Sequence, residues 1–253
     1  MTVHFVGAGP GAADLITVRG RDLLARCDVC LYPGSMTPTD LLAHCRPEAV
    51  LVDTANLALE AIVARMAEAH HAGQDVVRLT SGDPSLYSAV AEQMRRLDAL
   101  DVPYDVVPGV PAFAASAAVL NRELTVPEVG QSLVITRVQA RSTKMPPKET
   151  LAAFAATEAT LALHLAVNHV ERVADELTPH YGADCPVAVV ALATQPGETV
   201  VRGVLGELPK LVREAGMTRA ATIFVGRVLA AADFPDSFLY SSARDRANQP
   251  ESL

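Results

Sequence analysis

The sequence predicts an α/β protein of two lobes with mostly parallel sheets. Short β-branched apolar runs alternate with longer Ala- and Leu-rich segments, which is the rhythm of strand–helix–strand units. The length of 253 residues suits one large or two modest domains. A polar stretch at 120–130, which contains a proline and a glycine, interrupts the rhythm near the middle. We therefore expect a first domain over residues 1–120 and a second over residues 121–253.

The first half reads as five strands separated by helices. Apolar β-rich runs predict strands at 2–6, 28–32, 49–52, 75–79 and 104–107. Helical spacing predicts helices at 17–26, 57–71, 85–97 and 111–120. Thr17 is a suitable N-cap for the first helix, and Gly73 is a suitable terminator for the second.

The second half continues the alternation. Strands are predicted at 132–137, 160–165 and 186–191, and helices at 148–156 and 170–181. Two further runs, 199–204 and 222–228, complete the second sheet.

Composition and charge narrow the classes of partner. Half of the residues are hydrophobic and the formal net charge is −8, so we expect a globular protein that binds neither nucleic acid nor an anionic membrane. The first ten residues lack the cationic and apolar regions of a secretion signal. The longest nearly apolar run, 110–120, is too short to span a bilayer. We expect a soluble, cytoplasmic protein.

The four cysteines are too few and too scattered to predict a disulfide framework. Cys27 and Cys30 form a C-x-x-C pair, but no second pair completes a tetrahedral metal site. Because the pair falls on a predicted strand, we expect the two side chains to point to opposite faces. We interpret them as ordinary buried thiols and predict no metal.

Three glycine-bearing loops follow predicted strands of the first lobe, at 7–12, 80–87 and 107–113. Open α/β sheets bind ligands beyond the carboxyl ends of their strands, and glycine lets a ligand approach the backbone. Gly82 and Asp83 stand where a strand ends before a helix. Together the loops predict one ligand site.

The first glycine loop matches G-x-G-x-x-A, which is typical of dinucleotide-binding proteins. A nucleotide-dependent dehydrogenase is therefore an alternative. Two features oppose this reading. The following helix begins after the glycine run, at Thr17, and the second strand ends at Tyr32 and Pro33 rather than in an acidic residue. A non-catalytic binding module is a further alternative.

A basic segment near the start of the second lobe combines Arg137, Arg141, Lys144 and Lys148 without an intervening acidic residue. A double proline prevents a continuous helix, so we expect a loop that binds several carboxylates. The sequence has no motif for an activated nucleophile or a metal cluster. The reactive group is therefore expected to arrive on a cofactor, with no protein residue as covalent catalyst.

In order along the chain, a set of segments resembles the tetrapyrrole methylases, which are S-adenosylmethionine-dependent enzymes of corrin and sirohaem synthesis. The resemblance extends from Val3 to about Leu229. The segments are Gly7-Ala-Gly-Pro-Gly11 with Leu15-Ile-Thr17, Tyr32-Pro-Gly-Ser35, Ser81-Gly-Asp-Pro84, Pro108-Gly-Val110 and Thr218-Arg-Ala-Ala-Thr-Ile-Phe-Val-Gly226.

The resemblance implies that S-adenosylmethionine binds in a cleft between the lobes and leaves as S-adenosylhomocysteine after C-methylation of a tetrapyrrole. It also implies a homodimer. The implied cofactor-binding residues are Pro10, Gly82, Asp83, Leu86, Tyr87, Pro111, Ala112, Leu165, Ala193, Ala220 and Ala221.

For the polycarboxylate substrate, we expect Tyr32, Ser35 and Met36 to line a trough for the ring. We expect Arg137, Arg141 and Lys144 to bind its acetate and propionate groups. A methylase acting at another ring carbon, or on a protein or RNA, is an alternative within the same chemistry.

Overall fold

The computed structural model describes residues 2–34, 37–139 and 143–240. The chain divides into two compact units, of which the first combines residues 1–116 with 192–198 and the second combines 117–191 with 199–253. Segment 192–198 falls in the second domain predicted from the sequence, but in the structure it groups with the first unit. None of the helices formed by the described residues has the length and apolar character needed to cross a membrane.

The first unit contains a five-stranded parallel sheet with helices between the strands. The strands are β1 (Val3–Gly7), β2 (Val29–Tyr32), β3 (Val50–Asp53), β4 (Val76–Thr80) and β5 (Tyr104–Val107). The helices are α1 (Val18–Leu24), α2 (Thr39–Leu42), α3 (Leu59–His71), α4 (Val90–Asp98) and the beginning of α5 (Ala112–Leu120). The sheet order is β3-β2-β4-β1-β5, and every pair in it is parallel.

Alternating side chains of this sheet form two cores. On one face, Val3 and Phe5 of β1 pack with apolar residues of α3 and α4. On the opposite face, Val6 packs with residues of α1 and α2. The period of two along a strand thus covers both faces with helices, as expected for a parallel sheet.

The second unit contains a mixed sheet of order β6-β7-β10-β8-β9. Its strands are β6 (Leu133–Arg137), β7 (Thr160–His164), β8 (Pro186–Ala191), β9 (Thr199–Val204) and β10 (Ala221–Val225). Its helices are α6 (Leu151–Ala155), α7 (Val170–Tyr181) and α8 (Leu208–Glu214), and they pack on one core with β7, β8 and β10.

The α/β class predicted from the sequence is confirmed, but the expectation of a mostly parallel sheet holds only for the first unit. In the second sheet, β6 and β7 are parallel, and the other three pairs are antiparallel. The connection from β8 to β9 is only residues 192–198, and a link of this length is shorter than the dozen or more residues of a parallel crossover.

Two predicted helices begin later in the structure, and two short helices were not predicted. Helix α4 begins at Val90 rather than at residue 85, because Tyr87 and Ala89 have left-handed φ values of 54° and 52°, which end helical geometry. Helix α6 begins after Thr150, whose side chain accepts a hydrogen bond from the backbone of Ala153. The short helices α2 and α8 are absent from the sequence prediction.

The expectation that Cys27 and Cys30 point to opposite faces is wrong. Strand β2 begins at Val29, so Cys27 lies in the turn before it and escapes the alternation of the strand. Both side chains are buried in the same apolar cluster. The predicted state, a free buried thiol, is confirmed for both.

Candidate active site

The three glycine loops of the first unit lie side by side at the carboxyl ends of β4, β1 and β5, which are neighbours in the sheet. We call this region, residues 7–12, 81–85 and 108–112, the glycine edge. Gly9 and Gly82 exchange two backbone hydrogen bonds of 3.2 and 2.8 Å across it. The predicted convergence of these loops is therefore present in the structure.

Glycine is needed at this edge because the loops touch each other's backbones. A Cβ atom on Gly109 would lie 2.2 Å from the carbonyl oxygen of Gly82, and one on Gly7 would lie 2.5 Å from the Cα of Gly109. At Gly82 (φ +67°) a Cβ would instead meet Pro111 and Ala112 at the ordinary distance of 3.7 Å. The structure thus brings the predicted residues Gly82, Pro111 and Ala112 together.

The carboxylate of Asp83 joins two of the loops. Its Oδ2 accepts a 2.8 Å hydrogen bond from the backbone N–H of Gly109, and its Oδ1 accepts hydrogen bonds from the backbone and hydroxyl of Ser85. Burial favours the neutral acid, but the hydrogen bonds from Ser85 and Gly109 outweigh it and hold the pKa of Asp83 below its ordinary value. Asp83 is therefore an anion that orders the loops, and its predicted contact with a cofactor stays a prediction.

The loop between β8 and β9 is hydrogen-bonded to the glycine edge. Gln195 donates from Nε2 to the carbonyl oxygen of Pro10 at 2.7 Å, and the backbone N–H of Ala12 donates to Thr194 Oγ1 at 3.0 Å. Ala193, a predicted site residue, is buried in this loop. Thr194 and Gln195 were missed by the sequence analysis. The available signal was a polar, glycine-containing stretch directly after a buried strand.

Several predicted cofactor residues have left-handed backbone geometry. Tyr87, Leu165 and Ala220 have φ values of 54°, 52° and 47°. Tyr87 is 48% exposed and Leu165 is 63% exposed. Such conformations cost free energy and occur preferentially at functional sites. A large apolar side chain that is both strained and exposed indicates a ligand-facing position.

The predicted residues of the second unit share one edge of its sheet, which we call the second edge. Leu165 directly follows β7, and Ala221 begins β10, which runs antiparallel to β7. Arg137 ends β6 and pairs in register with His164. Arg137, Leu165, Ala220 and Ala221 therefore lie along the same side of this sheet.

A basic pocket of about 150 Å³ adjoins the end of β6. It is lined by Arg137 and Arg172 together with residues of the following loop, among them Met145 and the acidic Glu149. Arg172 also forms an ion pair with Glu176 at 2.5 Å. Arg137 donates to the carbonyl oxygen of Thr143 at 2.6 Å, and Arg172 donates to that of Gln139 at 3.0 Å. Arg172 was missed by the sequence analysis, because its position on amphipathic helix α7 carries no local signal.

The other predicted substrate residues have different outcomes. Lys144 is exposed beside the basic pocket and is not one of its lining residues. Tyr32 is partly exposed at the carboxyl end of β2. Ser35, Met36 and Arg141 lie outside the described residues.

A buried arginine supports the end of β2. Arg78 donates to Gln93 Oε1 and to Thr54 Oγ1, both at 3.1 Å, and Thr54 Oγ1 in turn donates to the carbonyl oxygen of Tyr32 at 3.0 Å. Burial lowers the pKa of Arg78 to about 10, so the group is still a cation at neutral pH. This network fixes the backbone at Tyr32, and nothing in the local sequence predicts it.

The two units offer binding surfaces of different kinds. The glycine edge offers backbone, small apolar side chains and one carboxylate, and the basic pocket offers two guanidinium groups. Within the part of the chain that the structure describes, no three or more His, Cys, Asp or Glu side chains are grouped so that they could hold a metal ion.

Comparisons with known proteins find relatives that match nearly the whole chain. A precorrin-4 C(11)-methyltransferase from Rhodococcus erythropolis is 56% identical over 246 residues, which cover 97% of this chain and 99% of the relative. The solved structure of a cobalamin biosynthetic enzyme, cobalt precorrin-4 methyltransferase, matches with a TM-score of 0.88 at 38% identity and covers 90% of this chain and 95% of that chain.

A uroporphyrin-III C-methyltransferase from Thermus thermophilus, solved in complex with S-adenosylhomocysteine, matches with a TM-score of 0.74 at 28% identity. This match covers 90% of this chain and 93% of that chain. The family model of the tetrapyrrole (corrin/porphyrin) methylases matches residues 2–209. The chain therefore belongs to the tetrapyrrole methylases, and the family predicted from the sequence is confirmed.

Proposed function

We propose that this protein methylates C11 of precorrin-4 to give precorrin-5, with S-adenosylmethionine as methyl donor, in cobalamin biosynthesis. The observation that carries the proposal is the high identity to a precorrin-4 C(11)-methyltransferase over nearly the whole length of both chains. The identity to a cobalt precorrin-4 methyltransferase is lower, which favours the metal-free substrate. Cobalt-precorrin-4, or another ring carbon, is the second candidate.

The glycine edge suits S-adenosylmethionine because its surface is formed by backbone and small residues. When bound, the cofactor supplies a methyl group on a positively charged sulfonium. Gly82, Pro111 and Ala112 form one wall, and we assign to it the amino-acid part of the cofactor, with Leu86 and Tyr87 beside it. Pro10 and Ala193 are linked to this wall through the hydrogen bonds of Gln195 and Thr194. We assign Leu165, Ala220 and Ala221 to the adenine and ribose side.

The chain contributes mainly by holding groups in place. The hydrogen bonds of Asp83 fix two loops before a ligand arrives, so less ordering remains to be done on binding. A displacement at a methyl carbon needs the attacking carbon, the methyl group and sulfur in line, and fixed loops favour such alignment. Apolar walls also keep water away from the reacting atoms. No covalent protein nucleophile is required.

The basic pocket suits a carboxylate of the substrate, because the guanidinium groups of Arg137 and Arg172 outnumber the one carboxylate, that of Glu149, among its lining residues. Arg172 already pairs with Glu176, so Arg137 is the residue chosen for the test. Arg137→Ala should raise the KM for the tetrapyrrole about tenfold, which is about 1.4 kcal/mol. The Kd of S-adenosylhomocysteine, measured by calorimetry, should stay the same. Arg213→Ala is the matched control, because Arg213 is exposed in the same unit and pairs with Glu171. Equal losses of substrate and cofactor affinity in Arg137→Ala would contradict this assignment.

The direct test incubates the protein with precorrin-4 and isotopically labelled S-adenosylmethionine. Mass spectrometry should detect one added methyl group, and NMR should locate it at C11. A parallel incubation with cobalt-precorrin-4 decides between the two substrates. If the labelled methyl group lies on a different carbon, or if cobalt-precorrin-4 is turned over faster, the second candidate is correct and the proposal is wrong.

We also propose that the protein is a cytoplasmic homodimer, as the resemblance to its family implies. Light scattering coupled to size-exclusion chromatography measures the mass in solution. A mass of about 53 kDa, twice that of the 26.7 kDa chain, is expected. A single-chain mass at micromolar concentration would exclude the dimer.

A further inference from the structure

Three of the four cysteines meet in one apolar cluster of the first unit, away from the glycine edge. Cys27 lies in the turn between α1 and β2, Cys30 lies within β2, and Cys45 lies in the connection between α2 and β3. All three pack in the cluster formed by one sheet face with α1 and α2. They are free thiols, and neither the proposed cofactor site nor the proposed substrate pocket uses them.

The three thiols differ in access to solvent. Cys27 and Cys30 are fully buried, with exposures of 1% and 0%, whereas Cys45 is partly exposed. Each of the three thiols affects the pKa of the other two, so the three side chains are neighbours within the cluster. Cys27 Sγ also contacts the carbonyl oxygen of Leu24 at 3.3 Å. A reagent from solution therefore reaches Cys45 first, and two further thiols are beside it.

We propose that Cys45 and Cys27 form a reversible disulfide when the protein meets hydrogen peroxide. Cys27 is favoured over Cys30 as the partner because a disulfide requires a narrow range of backbone separations. Cys30 is held on both sides by the sheet, where it pairs with Leu51 and Val77. Cys27 and Cys45 both lie in connecting segments, whose backbones adjust more easily.

The surroundings of Cys45 also favour its reactive form. Hydrogen bonds from Cys27 and Cys30 lower its pKa against the opposing effect of burial, and nearby His44 adds to the lowering. Burial and hydrogen bonds within the cluster, the bond to Cys27 first among them, raise the pKa of Cys30. The thiolate is the form that reacts with peroxide, so the partly exposed thiol is also the one whose surroundings favour the reacting form.

The chemistry proceeds in two balanced steps. The Cys45 thiolate attacks one peroxide oxygen, the O–O bond breaks, and the product is a sulfenic acid plus hydroxide, which takes up a proton to become water. The Cys27 sulfur then attacks the sulfenic sulfur, the S–S bond forms, the S–O bond breaks, and a second water leaves. Overall, two thiols are oxidised, one peroxide is reduced, and a dithiol reductant reverses the change by exchange.

Peptide mapping of the full-length protein tests the pairing. Trypsin is unsuitable, because no Lys or Arg separates Cys27 from Arg46 and one peptide would carry all three cysteines. Cleavage before aspartate separates them, because Asp28 and Asp40 place Cys27, Cys30 and Cys45 on three peptides. The folded protein is treated with a small excess of hydrogen peroxide, the free thiols are alkylated after unfolding in urea, and the digest is analysed without reduction. We expect peptide 22–27 linked to peptide 40–52, with Cys30 and Cys185 alkylated.

Variants with one cysteine replaced by serine identify the sulfurs that take part. Cys45→Ser should abolish the linked peptide, whereas Cys30→Ser and Cys185→Ser should form it as the wild type does. Far-UV circular dichroism checks that each variant is folded. Four alkylated cysteines after a treatment that oxidises free glutathione would overturn the proposal. A disulfide between Cys45 and Cys30 would overturn it as well. So would a disulfide between the remaining cysteines in Cys45→Ser.

Discussion

The glycine edge of the first unit and the second edge of the second unit place candidate ligand residues by opposite means. At the glycine edge, side chains are removed so that backbones can touch, as at Gly7 and Gly109. At the second edge, side chains are kept and the backbone is forced into the left-handed region, as at Leu165 and Ala220. At the glycine edge, the space between backbones therefore decides which residues fit. At the second edge, backbone strain decides it.

This difference predicts opposite responses to substitution. Adding one methyl group to Gly7 or Gly109 should be severely destabilising, because the atoms within 3 Å of the new Cβ belong to backbone. Removing a side chain at the second edge should relieve strain of about 1 kcal/mol, because glycine adopts left-handed geometry at little cost. The following changes test the comparison, beginning with the largest expected effect.

Gly109→Ala is expected to have the largest effect. The new Cβ would lie 2.2 Å from the carbonyl oxygen of Gly82 and 2.8 Å from the Cα of Gly7, so two loops would have to separate. We expect a loss of about 3 kcal/mol in unfolding free energy, measured by urea denaturation, and loss of S-adenosylhomocysteine binding.

Gly73→Ala is the control for that change. A Cβ on Gly73 would meet no atom within 4 Å, but φ is +74°, so only the left-handed penalty of about 1 kcal/mol applies. Equal losses in the two variants would mean that crowding at the glycine edge is relieved without cost, and the comparison would fail.

Asp83→Asn should have an intermediate effect, because an amide turns its NH2 group toward one of the N–H donors now bound by the carboxylate. We expect the unfolding free energy to fall by about 1 kcal/mol at pH 7, a value that is reduced for the partial exposure of the site. Since the pKa of Asp83 is lower in the folded state, its stabilisation is present above the ordinary value of 3.8 and disappears as the pH falls through the folded value.

The stability difference between wild type and Asp83→Asn should therefore shrink as the pH is lowered below about 4. Urea denaturation across this range measures it. The same pH series on Asp14→Asn, which changes an exposed carboxylate in the short helix after the first glycine loop, is the control. A constant difference down to the lowest pH would show that the charge of Asp83 does not brace the loops.

The sequence was most informative where local pattern decides the structure. The predicted bounds of β5, α7, β8 and β9 match the structure without change, because each is a strongly periodic segment bordered by turn residues. The convergence of the glycine loops was also predictable, because the loops that follow parallel strands all lie at the carboxyl end of the sheet.

The remaining features depend on contacts that no local pattern records. One such feature is strand direction in the second sheet, because side chains alternate between the two faces in parallel and antiparallel strands alike. The hydrogen bonds from Thr194 and Gln195 to the first loop are another, since they join residues more than 180 positions apart. The left-handed leucine at 165 is a third, because leucine itself favours right-handed geometry.

Leu165→Gly should have the smallest effect on stability and the opposite sign. The side chain is 63% exposed, so little burial is lost, while relief of the left-handed strain should raise the unfolding free energy by about 0.5 kcal/mol. The control is Leu100→Gly, an exposed leucine without a left-handed φ, which should lose about 0.5 kcal/mol. If the leucine is kept to contact S-adenosylmethionine, the stabilised variant should bind S-adenosylhomocysteine more weakly in calorimetry. A variant that gains stability and keeps full affinity would leave the strain at the second edge without a functional reason.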